Sequence, residues 1–134
     1  MSAVTVVCAI IEKNGKVLIA KRAANSSMPN KWELPGGKIQ PDESPYAAII
    51  REINEELGCT VNPVKTLKAN THAYPDFDID LMPIVCELSV GEPVALEHAE
   101  VRWVRASELN QFDWAAADIP IIHDYIASKV GSTK

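Results

Sequence analysis

GKIQPDESPYAAIIREINEELGC, residues 37–59, is the stretch that decides the reading of this chain. Ser44 has the side chain of an N-cap, and Pro45 suits a first helical position, where its missing N–H costs little. Gly58 suits the left-handed residue that closes a helix. The segment therefore reads as a loop over 38–43 and a helix over 45–57. On that helix Glu52, Glu55 and Glu56 share one face. Tyr46, Ile50, Ile53 and Leu57 form a second stripe, about a third of a turn away, with the spacing of a core contact.

Like charges three and four apart cost a helix a few tenths of a kcal/mol per pair. Glu52 repels both Glu55 and Glu56 in this way. A hard divalent cation would remove that cost, because Mg²⁺ and Mn²⁺ prefer carboxylate oxygens and can bridge to phosphate. A solvated acidic surface would tolerate it. The three glutamates alone do not choose between these two readings.

The flanking residues do choose. Gly37, Glu43, Arg51, Glu52, Ile53, Glu55, Glu56 and Gly58 stand at the fixed positions of a longer pattern, and Cys59 takes a final position usually held by an aliphatic residue. This segment closely resembles the Nudix box. The resemblance implies a loop–helix–loop in which Glu52, Glu55 and Glu56 are metal-binding carboxylates with catalytic roles. It also implies that Arg51 pairs with Glu43 to hold the loop against the helix, and that the carbonyl of Gly36 adds a metal ligand.

Outward from the box the resemblance continues. AKRAANSSMPNKWELPGGKI, residues 20–39, is similar to the approach to the box in MutT-type nucleoside triphosphate pyrophosphohydrolases. There Lys21 stands at the position of a phosphate-binding arginine, with Arg22 beside it. Lysine keeps the charge but loses the bidentate fork. LEHAEVRW (96–103) and AADIPII (116–122) resemble the CTP pyrophosphohydrolase relatives. That likeness makes Glu97 a fourth metal-binding carboxylate and a candidate base, and Asp118 the candidate base-recognition residue. A carboxylate at 118 accepts hydrogen bonds from the amino group of cytosine, or from guanine and 8-oxoguanine. It also suits an N-cap for the last helix. Met28, Leu34, Phe77 and Met82 are candidate lining for a base pocket, by stacking and sulfur contacts, or ordinary core. His98, His72 and His123 read as hydrogen-bonding or fold residues, and Trp32, Trp103 and Trp114 as packing.

The remaining segments read as strands over 4–11, 16–21 and 32–34, with Asn14-Gly15 turning the first hairpin. Gly36-Gly37 marks a tight backbone passage suited to a left-handed conformation. Further strands fall at 61–73, 79–88 and 101–104, with a turn near Tyr74-Pro75-Asp76 and an irregular loop over 109–114. Asp78, Asp80 and Met82 alternate against Ile79, Leu81 and Pro83, and Pro83 suits an edge or bulge. A helix is expected over 119–130. The sum is an α/β fold, a mixed β-sheet packed between helices, with residues 1–134 as one domain.

Composition sets outer limits. The chain is 47% hydrophobic and 23% charged, as ordinary globular domains are. Its net charge of -5 is the opposite of what binding to a nucleic-acid polymer needs. Cys8, Cys59 and Cys86 form no CxxC unit and read as buried thiols of an intracellular, cytoplasmic protein. MSAVTVVCAIIEKNGK lacks a basic n-region and reads as a strand rather than a leader, no run is long enough to span a bilayer, and the tail at 131–134 is expected to fray. The expected activity is Mg²⁺-dependent hydrolysis of a small nucleoside triphosphate to monophosphate and pyrophosphate, with Mn²⁺ as substitute. Dinucleoside polyphosphates, nucleotide sugars and a non-catalytic nucleotide-binding role are the alternatives. The sequence carries no signal of oligomeric state.

Overall fold

A computed structural model describes residues 4–132. The leader and tail readings therefore fall partly on residues, 1–3 and 133–134, outside those described. Strands β1 (Val4–Lys13), β2 (Lys16–Lys21), β3 (Trp32–Glu33) and β4 (Gly36–Lys38) precede helix α1 (Pro45–Leu57). β5 (Thr60–Thr66), β6 (Asn70–Ala73), β7 (Asp78–Val90) and β8 (Glu100–Arg105) follow, then two 3-10 turns and helix α2 (Ile119–Ser132). The strands form one sheet whose main path runs β3-β2-β1-β7-β5, with β4 on β1, β6 on β7 and β8 on β2. β1 pairs in parallel with β7 from Val4↔Ile79 to Glu12↔Glu87, and the other strand pairs are antiparallel.

β1 is apolar without a break from Val6 to Ile11 because both its faces are covered there, the usual cause of an unbroken hydrophobic strand. Val7, Ala9 and Ile11 join Ile49, Ile53 and Leu57 of α1 in one core cluster. Cys8 and Ile10 join Ile121, Ile122 and Tyr125 of α2 in the other. The sheet is thus packed between helices, as expected. The α1 stripe needs correction, since Ala48, Ile49, Ile53 and Leu57 are buried while Tyr46 and Ile50 are exposed. Ile53 and Leu57 belong to both stripes, and Ile49 takes the place of Ile50. Full burial of each such side chain contributes about 1.5–3 kcal/mol.

The ends of α1 follow the sequence. Ser44 Oγ accepts from Ala47 N–H at 3.1 Å, and Gly58, at φ 67°, donates its N–H to Asn54 O at 3.0 Å. Pro83 departs from expectation, for β7 is flanked by β1 on one side and by β5 and β6 on the other. Pro83 faces the gap between β5 and β6, where its carbonyl accepts from Leu67 N–H at 2.9 Å. A strand residue presents its N–H and C=O to the same neighbour, so the missing donor falls where no ladder partner stands. That gap also divides the expected strand 61–73 into β5 and β6.

Candidate active site

The box folds around Arg51. Its Nε and Nη2 grip Glu43 through both carboxylate oxygens, at 2.8 and 3.0 Å. Nη1 donates to Glu52 at 3.0 Å and to Glu55 at 3.2 Å, and Nη2 also reaches the carbonyl of Lys38 at 3.1 Å. Two-point Arg–carboxylate contact fixes geometry as well as charge. Glu43 is held down to about 2, chiefly by the Arg51 hydrogen bond and then by the Gln40 N–H. Hydrogen bonds to Glu43 and Glu52 raise the Arg51 guanidinium in turn. One arginine thus ties the 38–43 loop, the helix and two of the three helix glutamates together.

Gly36 and Gly37 bring backbone against this cluster. The passage is tight, as expected, but its demand is for space rather than for left-handed backbone. A β-carbon on Gly37 would lie 2.4 Å from Cδ of Glu52, and one on Gly36 would lie 2.0 Å from the carbonyl oxygen of Val7. Any side chain at residue 37 would displace the Glu52 carboxylate.

One turn further along α1, Glu56 faces inward. Its Oε1 is buried without a hydrogen-bond partner. Its pKa is pushed up to about 9, first by burial, then by a hydrogen bond shared with Glu52 and by the negative charges of Glu52, Glu33 and Glu97. Glu55 is half exposed and points to Arg51 instead. The helix glutamates therefore divide into two inward groups, Glu52 and Glu56, and one outer group.

Glu56 opens into a cavity of about 340 Å³. Gly36, Gly37 and Glu97 line the same cavity, and so do Met28, Leu34 and Asp118. Asp118 is only 6% exposed, and its Oδ2 accepts from the Leu34 N–H at 2.9 Å. Burial pushes it up to about 7; Glu33 adds to the shift, while the Leu34 N–H and Arg22 oppose it. It precedes α2 within a 3-10 turn, and its side chain accepts from Leu34 rather than from the first turn of that helix.

Three of the expected substrate-binding residues do not line the cavity, and neither do Arg51, Glu52 and Glu55 of the box. Lys21 sits inside the ladder, opposite Trp32 and Glu100, whereas Arg22 lies past its end and lines the cavity. Of the two neighbouring cations, the one that lines the cavity is the forked guanidinium of Arg22. Met82 packs on the α1 side of the sheet, because strand alternation sends Leu81 to the cavity side. Phe77 is exposed and stacks on Tyr74, which lines the cavity in its place.

Two participants were not singled out from the sequence. Glu33 accepts from Arg22 at 2.8 Å and pairs with His98 Nε2 at 2.9 Å. Burial pushes Glu33 upward, but the bonds from His98 and Arg22 outweigh it and hold it below its ordinary value. The available signal was a carboxylate between two apolar residues, Trp32 and Leu34, just before Pro35-Gly36-Gly37. Cys8 also lines the cavity, its thiol raised by burial and by Asp118, and all three cysteines are free and buried.

The donor set at the Glu56 end is carboxylate and carbonyl oxygen, the chemistry that Mg²⁺ and Mn²⁺ take. Its buried unpartnered oxygen and mutual carboxylate repulsion are what a cation would relieve. Among the described residues, no three acidic, histidine or cysteine side chains already converge on one cation position. Mg²⁺ is compatible with that, since it keeps several waters and shares phosphate oxygens.

A NUDIX domain model matches residues 1–125. The chain belongs to the Nudix family. It is 35% identical to the CTP pyrophosphohydrolase of Escherichia coli, over 95% of this chain and 94% of that one. It is also 35% identical to the 8-oxo-dGTP diphosphatase of Escherichia coli, over 84% and 88% of the two chains. The solution structure of the E. coli ORF135 protein superposes with a TM-score of 0.85 at 34% identity, covering 98% of this chain and 94% of that one. The mixed sheet with flanking helices is the Nudix fold. As a Nudix hydrolase the chain is an enzyme of a family that generally uses a divalent metal, and its named relatives act on small nucleotides. Among the described residues, no helix is long and apolar enough to cross a membrane.

Proposed function

We propose that this Nudix hydrolase converts a nucleoside triphosphate and water to the nucleoside monophosphate and pyrophosphate, with Mg²⁺ bound by Glu52, Glu56, Glu97 and the carbonyl of Gly36. The observation that carries this reading is one cavity lined both by carboxylates of the box region, Glu56 and Glu97, and by a buried acceptor, Asp118. Such a cavity takes a polyphosphate at one end and a base at the other. Bound Mg²⁺ would neutralise phosphate oxygens and acidify water. Arg51 holds Glu52 in place, with Glu55 as an outer member of the cluster. Glu97 accepts the proton from the attacking water, and Arg22 offers charge to the phosphates by exchanging part of its contact with Glu33.

Asp118 reads the base by accepting from an exocyclic amino group, beside Leu34 and Met28. This supports cytosine nucleotides or 8-oxo-dGTP, in line with the two named relatives. Lys21, Phe77 and Met82 drop out of the substrate-binding set. The three free buried thiols support a reducing, cytoplasmic setting. Sheet cores on both faces support one domain, and the acidic net charge supports a small-molecule substrate rather than a polymer.

The test is kcat/KM with Mg²⁺ on CTP, dCTP, 5-methyl-dCTP, dGTP, 8-oxo-dGTP and a dinucleoside polyphosphate, with products identified. Selective release of pyrophosphate from 8-oxo-dGTP assigns removal of damaged nucleotides, and preference for cytosine assigns the CTP-type reaction. Turnover confined to the dinucleoside polyphosphate would overturn the triphosphate reading.

A further inference from the structure

Glu97 sits on a segment, residues 91–99, without regular secondary structure. It is exposed, and its carboxylate makes no hydrogen bond or ion pair among the described residues. Its location therefore depends on what holds its neighbours. Leu96 donates its N–H to the carbonyl of Glu56 itself at 3.2 Å, and Ala99 donates to the carbonyl of Lys21 at 2.9 Å. Both are backbone contacts, available to almost any residue. Glu92, at the far end of the segment, makes a long, exposed pair with Lys13 at 3.9 Å, whereas His98, next to Glu97, has its Nε2 2.9 Å from Glu33 Oε2 and a side chain only 7% exposed.

We propose that His98 is a positioning residue: by docking on Glu33 it fixes Glu97 beside the Glu56 end of α1. The inference rests on the role given above to Glu97. Glu33 is suited to the task because its other oxygen is held by Arg22, which is itself tied to the carbonyl and hydroxyl of Ser27. An acceptor locked from one side is a fixed point for the histidine on the other. With Nε2–H donated to Glu33, the remaining ring nitrogen is an acceptor, and Nδ1 is buried with no donor. An orphaned buried nitrogen lowers stability, so stability alone does not account for a histidine here. A residue that sets the angle of the adjacent ligand does account for it, as hydrogen-bonded groups behind metal ligands do elsewhere.

The test is a mutant cycle on the full chain with Glu97→Gln, His98→Ala, His98→Gln and the double variant Glu97→Gln/His98→Ala. Turnover of CTP and 8-oxo-dGTP with Mg²⁺ is read alongside binding of Mn²⁺ alone, followed by its paramagnetic resonance. His98→Ala is expected to lower kcat by roughly 10- to 100-fold, the usual effect of removing such support. KM should stay nearly unchanged, and Mn²⁺ affinity should fall. His98→Gln, which keeps an N–H donor at similar reach, should recover much of both. In the Glu97→Gln background His98→Ala should have almost no further effect.

An equal effect of His98→Ala in both backgrounds, or a loss confined to KM, would overturn the positioning role while leaving Glu97 in place. Unchanged turnover and Mn²⁺ binding in Glu97→Gln would instead remove the role of Glu97, and this inference with it. If His98→Ala does not fold, His98→Asn, which is polar but too short to span to Glu33, replaces it in the cycle.

Discussion

Glu43 and Glu56 belong to one loop–helix segment, and their surroundings are opposite. Glu43 is gripped by Arg51 through both oxygens and takes a third bond from Gln40, so its charge is fully answered by the protein. Glu56 has one oxygen buried without a partner, and the groups around it are carboxylates. The difference separates scaffold from chemistry. Where the protein satisfies an acid, the acid holds structure; where it leaves one unsatisfied, something outside the chain must complete it. Asp118 belongs with Glu56, as a buried carboxyl held by a single backbone N–H.

The sharpest way to break this contrast is Glu56→Gln. It should lower turnover by roughly 100- to 1,000-fold, the scale of losing one transition-state electrostatic partner. The metal-free protein should be no less stable at pH 8, because Glu56, pushed up to about 9, must take up a proton to fold at that pH and glutamine need not. Loss of turnover accompanied by a large fall in Tm would place Glu56 with the scaffold instead. Arg51→Ala should cost less activity, about 10- to 100-fold, by loosening Glu52. It should lower Tm, since it strips Glu43, Glu52 and Glu55 of a shared partner. Arg51→Lys should not restore either property, because a lysine cannot supply the two-point grip.

Asp118 sharpens the contrast through pH. The folded state holds its proton up to about 7, against an ordinary value of 3.8. Between those values the folded form binds more protons than the unfolded one, so this group's contribution to stability declines as pH rises. Asp118→Asn should therefore raise Tm more at pH 8 than at pH 4, while changing the ratio of kcat/KM between cytosine and guanine nucleotides. A Tm difference independent of pH would contradict the assignment. The smallest effect belongs to Glu43→Gln. Its stabilisation is full above 4.5, the ordinary value, and lost as pH falls toward about 2. The mutant should be less stable than the parent at neutral pH, and the gap should close through that acid window in thermal melts.

Much of this contrast was legible in the sequence. Ser44, Pro45 and Gly58 bounded α1 because caps act locally, and the Glu43–Arg51 pair followed from the box. The phase of the apolar stripe was less legible, because Tyr46, Ile49 and Ile50 all suit a core and only the sheet decides which is covered. Pro83 misled for a similar reason: a central strand tolerates it when the adjoining ladder is interrupted, and that gap is a tertiary feature. The partition of Lys21 from Arg22, and of Leu81 from Met82, depends on where a ladder ends and which face a strand turns inward. Glu33 and His98 are far apart in sequence and meet only when β3 and the 91–99 segment are folded together.

The most direct test of the central claim is Mn²⁺ binding to the nucleotide-free protein at pH 7.5, compared among the parent, Arg51→Ala and Glu56→Gln. If the unsatisfied acids are a cation site and the satisfied ones its support, the parent binds, Arg51→Ala binds more weakly, and Glu56→Gln loses most of its affinity. Equal binding by all three proteins would contradict that division.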